Sequence, residues 1–142
     1  MTTVAEAYSA LRTRLAGGYS ATPIFWQNEN NQLPDAPSAF VFAAFSTSPQ
    51  SLIATGGGRG GNLFRTNATF ECFVFVPLAS GLADGLAKAE SIAALFRGQR
   101  FSGLSCEAAQ VDPQPVKYDG ADWSGNYSAV AAIIDLYFDQ VG

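Results

Sequence analysis

The stretch Leu63-Phe64-Arg65-Thr66-Asn67-Ala68-Thr69-Phe70-Glu71-Cys72-Phe73-Val74-Phe75-Val76 decides the fold. Its even positions, Phe64, Thr66, Ala68, Phe70, Cys72, Val74 and Val76, are nearly all apolar or small. Successive side chains of a strand point to opposite faces, so this period of two assigns them to one core face. The odd positions, Leu63, Arg65, Asn67, Thr69, Glu71, Phe73 and Phe75, are polar in the middle and aromatic at the end. One face therefore requires full cover and the other partial cover. Pro77 closes the strand, because it has no N–H for the ladder.

Toward the N-terminus, Gly56-Gly57-Gly58-Arg59-Gly60-Gly61 reads as a flexible hairpin tip, since repeated Gly supplies freedom and positive φ. A weaker strand, about Gln50 to Thr55, leads into that tip. Before it lies a strand of about Ser38 to Thr47, apolar on both faces through Phe40, Val41, Phe42 and Phe45. Pro23-Ile24-Phe25-Trp26 is a short strand, and the polar run Gln27 to Pro37 is a loop. The first element is an amphipathic helix, about Val4 to Ala16, with Val4, Tyr8, Leu11 and Leu15 as its apolar stripe. Thr3 and Glu6 match a capping box, and Gly17-Gly18 are the expected left-handed stop.

Beyond Pro77 the spacing predicts a second helix, about Leu82 to Arg97. Leu82, Leu86, Ala89, Ala93 and Phe96 mark its stripe, with Ile92 and Leu95 beside it, and Gly98 is its stop. Strands follow at about Phe101 to Val111 and Tyr127 to Asp139. In the last of these Val130, Ala132, Ile134, Leu136 and Phe138 share the core face. Asp112-Pro113-Gln114-Pro115 and the run Asp119 to Gly125 supply turn chemistry. The order α-β-β-β-β-α-β-β predicts an α+β fold over residues 1–142: a mostly antiparallel sheet with two helices packed on one face.

Composition narrows the function. Only 14% of the residues are charged, against about 25% in an average domain. A surface short of charge suits contact with other protein, since interface cores are depleted in charged residues. The net charge is −4 and the eight Lys/Arg are scattered, the closest pairs being Arg12/Arg14 and Arg97/Arg100. Duplex binding requires clustered phosphate contacts, so nucleic-acid binding is not expected. Cys72 and Cys106 fall in strand-like segments and are expected to be buried free thiols. The N-terminus shows no basic region followed by an apolar run, and no stretch approaches the ~20 residues of a membrane span. Folding in a cytoplasm is expected.

The residues offer little for chemistry. The chain has no histidine, which removes the commonest general base and the Ser-His and Cys-His nucleophile pairs. Two distant cysteines cannot build a structural zinc site. The Gly56–Gly61 loop lacks the Lys-Ser/Thr of a P-loop, and a strand rather than a helix follows it. Asp112, Asp119 and Asp122 fall in one loop region, where turn-forming Asp is the expectation and a catalytic carboxylate pair the alternative. Asp135 and Asp139 are expected to be solvent or interface charges. No catalytic residue, metal or cofactor is expected.

Phe73, Phe75, Tyr127 and Tyr137, with Ile133, lie on the face that the helices do not cover. A small-ligand cleft, a second layer made by loops and a subunit interface all remain open as readings. Tyr and Phe are enriched at interfaces; with Arg59 at the hairpin tip these residues are the candidate contacts.

Four pieces of the chain carry a family resemblance. The first is Thr22-Pro23-Ile24-Phe25-Trp26-Gln27-Asn28-Glu29 after an amphipathic helix, and the second is Phe73-Val74-Phe75-Val76-Pro77 followed by Ala79-Ser80-Gly81. The third is Ala87-Lys88-Ala89-Glu90-Ser91-Ile92-Ala93-Ala94-Leu95-Phe96, and the last is Trp123 ahead of a strand carrying Tyr127 and Val130. Together they resemble the tail terminator proteins of long-tailed phages with flexible, non-contractile tails. That resemblance implies a non-enzymatic virion protein, made in the host cytoplasm and located at the head-proximal end of the tail. It implies a hexameric ring that caps the tail tube and meets the head connector, with tube protein, connector protein and further copies of itself as partners. A monomeric ligand-binding domain, with an apolar cleft around Phe73 and Tyr137, and another head-tail joining protein are the alternatives.

Overall fold

The computed structural model describes residues 2–32, 36–56, 58–115 and 127–142. Helix α1 spans Val4–Gly18 and α2 spans Ala83–Phe96. The strands are β1 (Ile24–Trp26), β2 (Phe40–Thr47), β3 (Ser51–Ala54), β4 (Leu63–Pro77), β5 (Arg100–Phe101), β6 (Leu104–Asp112) and β7 (Tyr127–Val141). They form one sheet in the order β1-β2-β4-β7-β6-β5, and β3 pairs with β4 beyond the end of β2. Among the described residues only the β1–β2 pair is parallel. The fold is α+β with the predicted order of elements.

The period of two in β4 is realised as read. Thr66, Ala68, Phe70, Cys72, Val74 and Val76 are buried. Ala68, Phe70, Cys72, Val74 and Val76 share one core with Val130, Ala132, Ile134, Leu136 and Phe138 of β7 and with residues of both helices. In α1 the buried line is Ala7, Leu11 and Leu15; in α2 it includes Ala89, Ile92, Ala93 and Phe96. Both helices therefore lie on the same face of the sheet. Phe96 meets Phe70 edge-on at 5.6 Å between ring centroids. Each fully buried side chain of this size contributes about 1.5–3 kcal/mol, far more than helix propensity alone.

Several local expectations change. Val4 has the right angular position for the stripe but sits in the first turn, and it is 47% exposed. Burial needs a partner beneath as well as the right angle. Leu82 lies outside α2 and is also exposed, whereas Gly85 is buried. A Cβ there would stand 3.4 Å from Val130 Cγ2, so a small residue brings the helix close to the sheet. Gly17 and Gly18 do not stop α1 with a left-handed turn; Tyr19 caps it in an extended conformation. Gly98 does stop α2 region as expected, with φ +67.

The strand expected from Phe101 begins as a tight hairpin. Ser102 and Gly103 both have positive φ, 49° and 81°, the geometry of a two-residue turn that matches strand twist. Thr2 anchors this turn: its hydroxyl donates to the Ser102 carbonyl at 3.2 Å, and its amide donates to the Asp139 carbonyl at 3.2 Å. The capping box at Thr3 and Glu6 is formed. Cys72 and Cys106 are buried and free.

Candidate functional site

The sheet face away from the helices divides into three zones. At one end aromatic rings gather through cross-strand pairing: Phe40 opposite Phe75, Phe42 opposite Phe73, and Phe25 beside Phe42. Phe40 stacks on Phe75 at 4.9 Å and on Phe25 at 4.8 Å, and Tyr127 stands edge-on to Phe40 at 5.0 Å. Stacked and edge-on pairs of this kind add about 0.5–1.5 kcal/mol each beyond area burial. Phe40, Phe42, Phe73 and Ala131 are buried, so this zone is a second small core and not an open surface. Phe73 is interior to the chain. Phe75, Tyr127 and Ile133 are half-buried and form its margin.

The middle of the face is acidic. Burial first, then the nearby Asp112 and Asp135, push the Glu71 carboxyl above its usual range. Asp112 also accepts from the Gln114 N–H at 2.9 Å, the side-chain turn expected for Asp in such a loop. Asp119 and Asp122, the other members of the carboxylate alternative, lie outside the described residues, as does Trp123. Among the described residues no three His, Cys, Asp or Glu side chains are grouped as metal ligands.

The third zone holds Tyr137 and a charge pair. Arg65 and Asp139 are cross-strand partners. The guanidinium donates twice to the carboxylate, Nε to Oδ1 at 2.8 Å and Nη2 to Oδ2 at 3.0 Å. It also lies 4.1 Å over the Tyr137 ring, a favourable cation–π placement. Arg65 holds the Asp139 carboxyl below its usual range. Tyr137 is six residues along β7 from Ala131, the partner of Phe73, or roughly 20 Å in a strand. Phe73 and Tyr137 therefore do not line one cleft. Arg59 is exposed at the hairpin tip, between Gly58 and Gly60 with φ of 64° and 89°.

The sheet edges carry side-chain devices that residue patterning did not reveal. Asn31 pairs with Trp26 of β1, donating to its carbonyl at 2.8 Å and accepting from its N–H at 3.3 Å. Gln27 Oε1 accepts from the Phe45 N–H of β2. Asn28 between them takes φ 54°, a conformation Asn tolerates. Glu29 pairs with Arg12 of α1, whose guanidinium lies 4.4 Å over the Trp26 ring. On the far edge, Arg97 donates twice to the Ala109 carbonyl of β6, at 2.9 and 2.6 Å, and Gly98 donates to Glu107 at 3.1 Å. The only sequence signal for these devices is a run of carboxamides directly after a strand.

A separate open groove of about 650 Å³ lies between α1 and the β5–β6 turn, lined by Ala5, Ser9, Thr13, Arg14, Phe101 and Ser102. Arg14 is already engaged: it donates to the Leu95 carbonyl at 2.6 Å and lies 4.5 Å over Phe101. Glu6 also lines the groove, and its carboxylate is engaged in the capping box with Thr3.

No family model matches the chain, and no curated protein matches it. Solved structures do match, fifteen chains in all. One of them covers 99% of this chain and 97% of its own length, with a TM-score of 0.63 at 21% identity. Likeness at that identity shows the fold alone: this α+β arrangement, end to end, is shared by another protein.

Proposed function

We propose that the chain is a structural virion protein of the phage tail terminator kind, a hexameric ring that caps the completed tail tube and presents its other side to the head connector. The observation that carries this reading is where the resembling pieces fall. Ile24–Trp26 is a strand whose Asn-Glu turn docks on α1 through Glu29. Phe73–Pro77 ends the long central strand, and Ala79 and Gly81 shape the turn after it with φ of 65° and 91°. Ala87–Phe96 forms the body of α2. Three short and individually unspecific pieces thus coincide with element boundaries along one fold.

The surface supports assembly more readily than catalysis. A cyclic ring needs two different, complementary patches on each subunit. Leu78 and Leu82 are 55% and 51% exposed beside the end of β4, where Pro77 pairs with Tyr127. The opposite end of the same strands carries the Arg65–Asp139 pair and Tyr137. No nucleic-acid or membrane contact belongs to this reading; no helix among the described residues is long and apolar enough to cross a membrane.

Negative-stain imaging of particles lacking the protein tests the proposal. Tails of uncontrolled length, or tails detached from heads, are expected; normal particles would overturn it.

A further inference from the structure

Residues 27–31 leave the sheet after Trp26 and turn back on the edge they have just left. All five, Gln27-Asn28-Glu29-Asn30-Asn31, are polar, and the middle three are exposed. They bring no apolar anchor into the core, so side-chain hydrogen bonds and charge tie them down. Asn31 holds the Trp26 carbonyl and N–H, and Gln27 Oε1 accepts from the Phe45 N–H. The register of β1 with β2 ends at Trp26 opposite Ala43, so the Phe45 N–H lies just past the end of that ladder. The third tie is remote from the edge. Arg12 of α1 donates to both carboxylate oxygens of Glu29, Nη1 to Oε2 and Nη2 to Oε1. The guanidinium is itself seated on the body of the protein, 4.4 Å over the Trp26 ring and donating to the Tyr8 hydroxyl at 3.4 Å. Asn28, with φ 54°, turns the chain between the ties. The Asn31 N–H donates to the Glu29 carbonyl at 2.9 Å, which links the tie at Trp26 to the tie at Arg12.

We infer that residues 27–31 are a latched strap: a local unit that lifts from the β1–β2 edge and closes on it again while the sheet stays folded, with Arg12 as its latch. Segments with few buried apolar contacts open at a fraction of the free energy of global unfolding. The three ties sit on one five-residue backbone, so the loss of one frees the others to leave with it. The latch is an exposed ion pair, which contributes little by itself and is screened by salt. It therefore tunes the opening and does not forbid it. With the strap lifted, the Trp26 and Phe45 N–H groups are left without these acceptors, the condition that natural sheet edges are built to avoid. The strap is a guard on that edge, and Glu29, which bonds neither group, sets how often it lifts. The strap is independent of the proposed ring.

Amide hydrogen exchange of the full chain, followed residue by residue by NMR, tests it. The Trp26 and Phe45 N–H groups have strap side chains as acceptors and report the strap. Phe70 and Ile134, paired across the two central strands, report global unfolding. In Glu29→Gln the Trp26 and Phe45 amides are expected to exchange about threefold faster, and together, with Phe70 and Ile134 unchanged. About 1 M sodium chloride, where the screening length is about 3 Å, is expected to do the same to the native protein and to add little in Glu29→Gln. Asn31→Ala is expected to speed Phe45 as well as Trp26, beyond any change at Phe70 and Ile134, although Asn31 does not bond Phe45. Glu90→Gln, which removes the exposed pair with Arg97 on α2, is expected to leave both reporters unchanged. Acceleration of Trp26 alone in Asn31→Ala would show separate ties and overturn the strap as a unit. Unchanged reporters in Glu29→Gln, or an equal acceleration of Phe70 and Ile134 in that variant, would overturn Arg12 as the latch, as would an equal effect of Glu90→Gln.

Discussion

The carboxamide of Asn31 closes on both backbone groups of Trp26, its Nδ2 2.8 Å from the carbonyl oxygen and its Oδ1 3.3 Å from the amide nitrogen. A single side chain thus takes the place of the next strand. Asn31→Ala leaves a buried tryptophan's N–H and C=O without these partners, and is expected to cost about 1–2 kcal/mol in urea unfolding. Asn31→Asp keeps the acceptor but turns a carboxylate toward the Trp26 carbonyl. It should be no better than Ala at neutral pH and should recover in part on acidification, when the carboxyl can donate. Identical unfolding midpoints for all three proteins would remove the edge-closing role.

The two glycines at the end of α1 are expected to respond in opposite ways. A Cβ on Gly18 would stand 2.7 Å from Leu95 Cδ2, whereas nothing lies within 4 Å of a Cβ on Gly17. Gly18→Ala forces Leu95 to move and should destabilise by about 1 kcal/mol or more. Gly17→Ala meets open space and should be neutral or stabilise by up to about 1 kcal/mol through helix propensity. Shortening Leu95 to Ala should remove the Gly18 penalty, and a double-mutant cycle measures that coupling.

Acid sensitivity should divide between residues of opposite sign. Arg65 depresses the Asp139 carboxyl and Arg12 depresses that of Glu29. These pairs stabilise above the usual carboxylate values, 3.8 and 4.5, and the benefit is lost as pH falls through the depressed folded values. Glu71 runs the other way, because burial and its acidic neighbours raise it above 4.5. Its contribution is present below that value and is lost as pH rises through the folded one. Melting temperatures from pH 3 to pH 7 should therefore show Asp139→Asn flattening the acid limb. Glu71→Gln should gain relative to the native protein as pH rises; a constant offset across that range would rule out the titration.

The two thiols should be inert in the folded protein. Burial pushes Cys106 up to about 11 and Cys72 higher still, and the thiolate is the reactive form. At pH 8 a thiol-specific reagent is expected to modify neither cysteine until denaturant is added, and then both. Rapid labelling of one site without denaturant would show local opening of β4 or β6.

The long strand and the two helices could be read from residue order because each is set by local periodicity. Thr66 to Val76 at alternate positions, and Leu11 with Leu15 in α1, require only the pitch of their own element. The capping box at Thr3 and Glu6 and the stop at Gly98 are equally local. What failed was wherever a neighbour distant in sequence decided the outcome. Gly18 looked like a helix stop and is a contact for Leu95; Gly85 carried no signal and lets α2 approach Val76 and Val130. Val4 and Leu82 fit apolar stripes and lie where no partner reaches them.

The candidate site divides along the same line. Alternation in β4 and β7 was enough to put Phe73, Phe75, Tyr127, Ile133 and Tyr137 on the face away from the helices. It could not say that Phe73 would be interior while Tyr137 lies under Arg65, roughly 20 Å off along the strands. That separation depends on registers across the sheet: Phe42 beside Phe73, and Arg65 beside Asp139. Composition alone was enough to deny the chain histidine chemistry, since absent residues need no coordinates. Which backbone groups along the sheet edges are bonded by side chains rests on residues from elsewhere in the chain: Asn31 and Gln27 on one side, Arg97 on the other. Hydrogen-bond partners are chosen by proximity in three dimensions, and only folding creates that proximity.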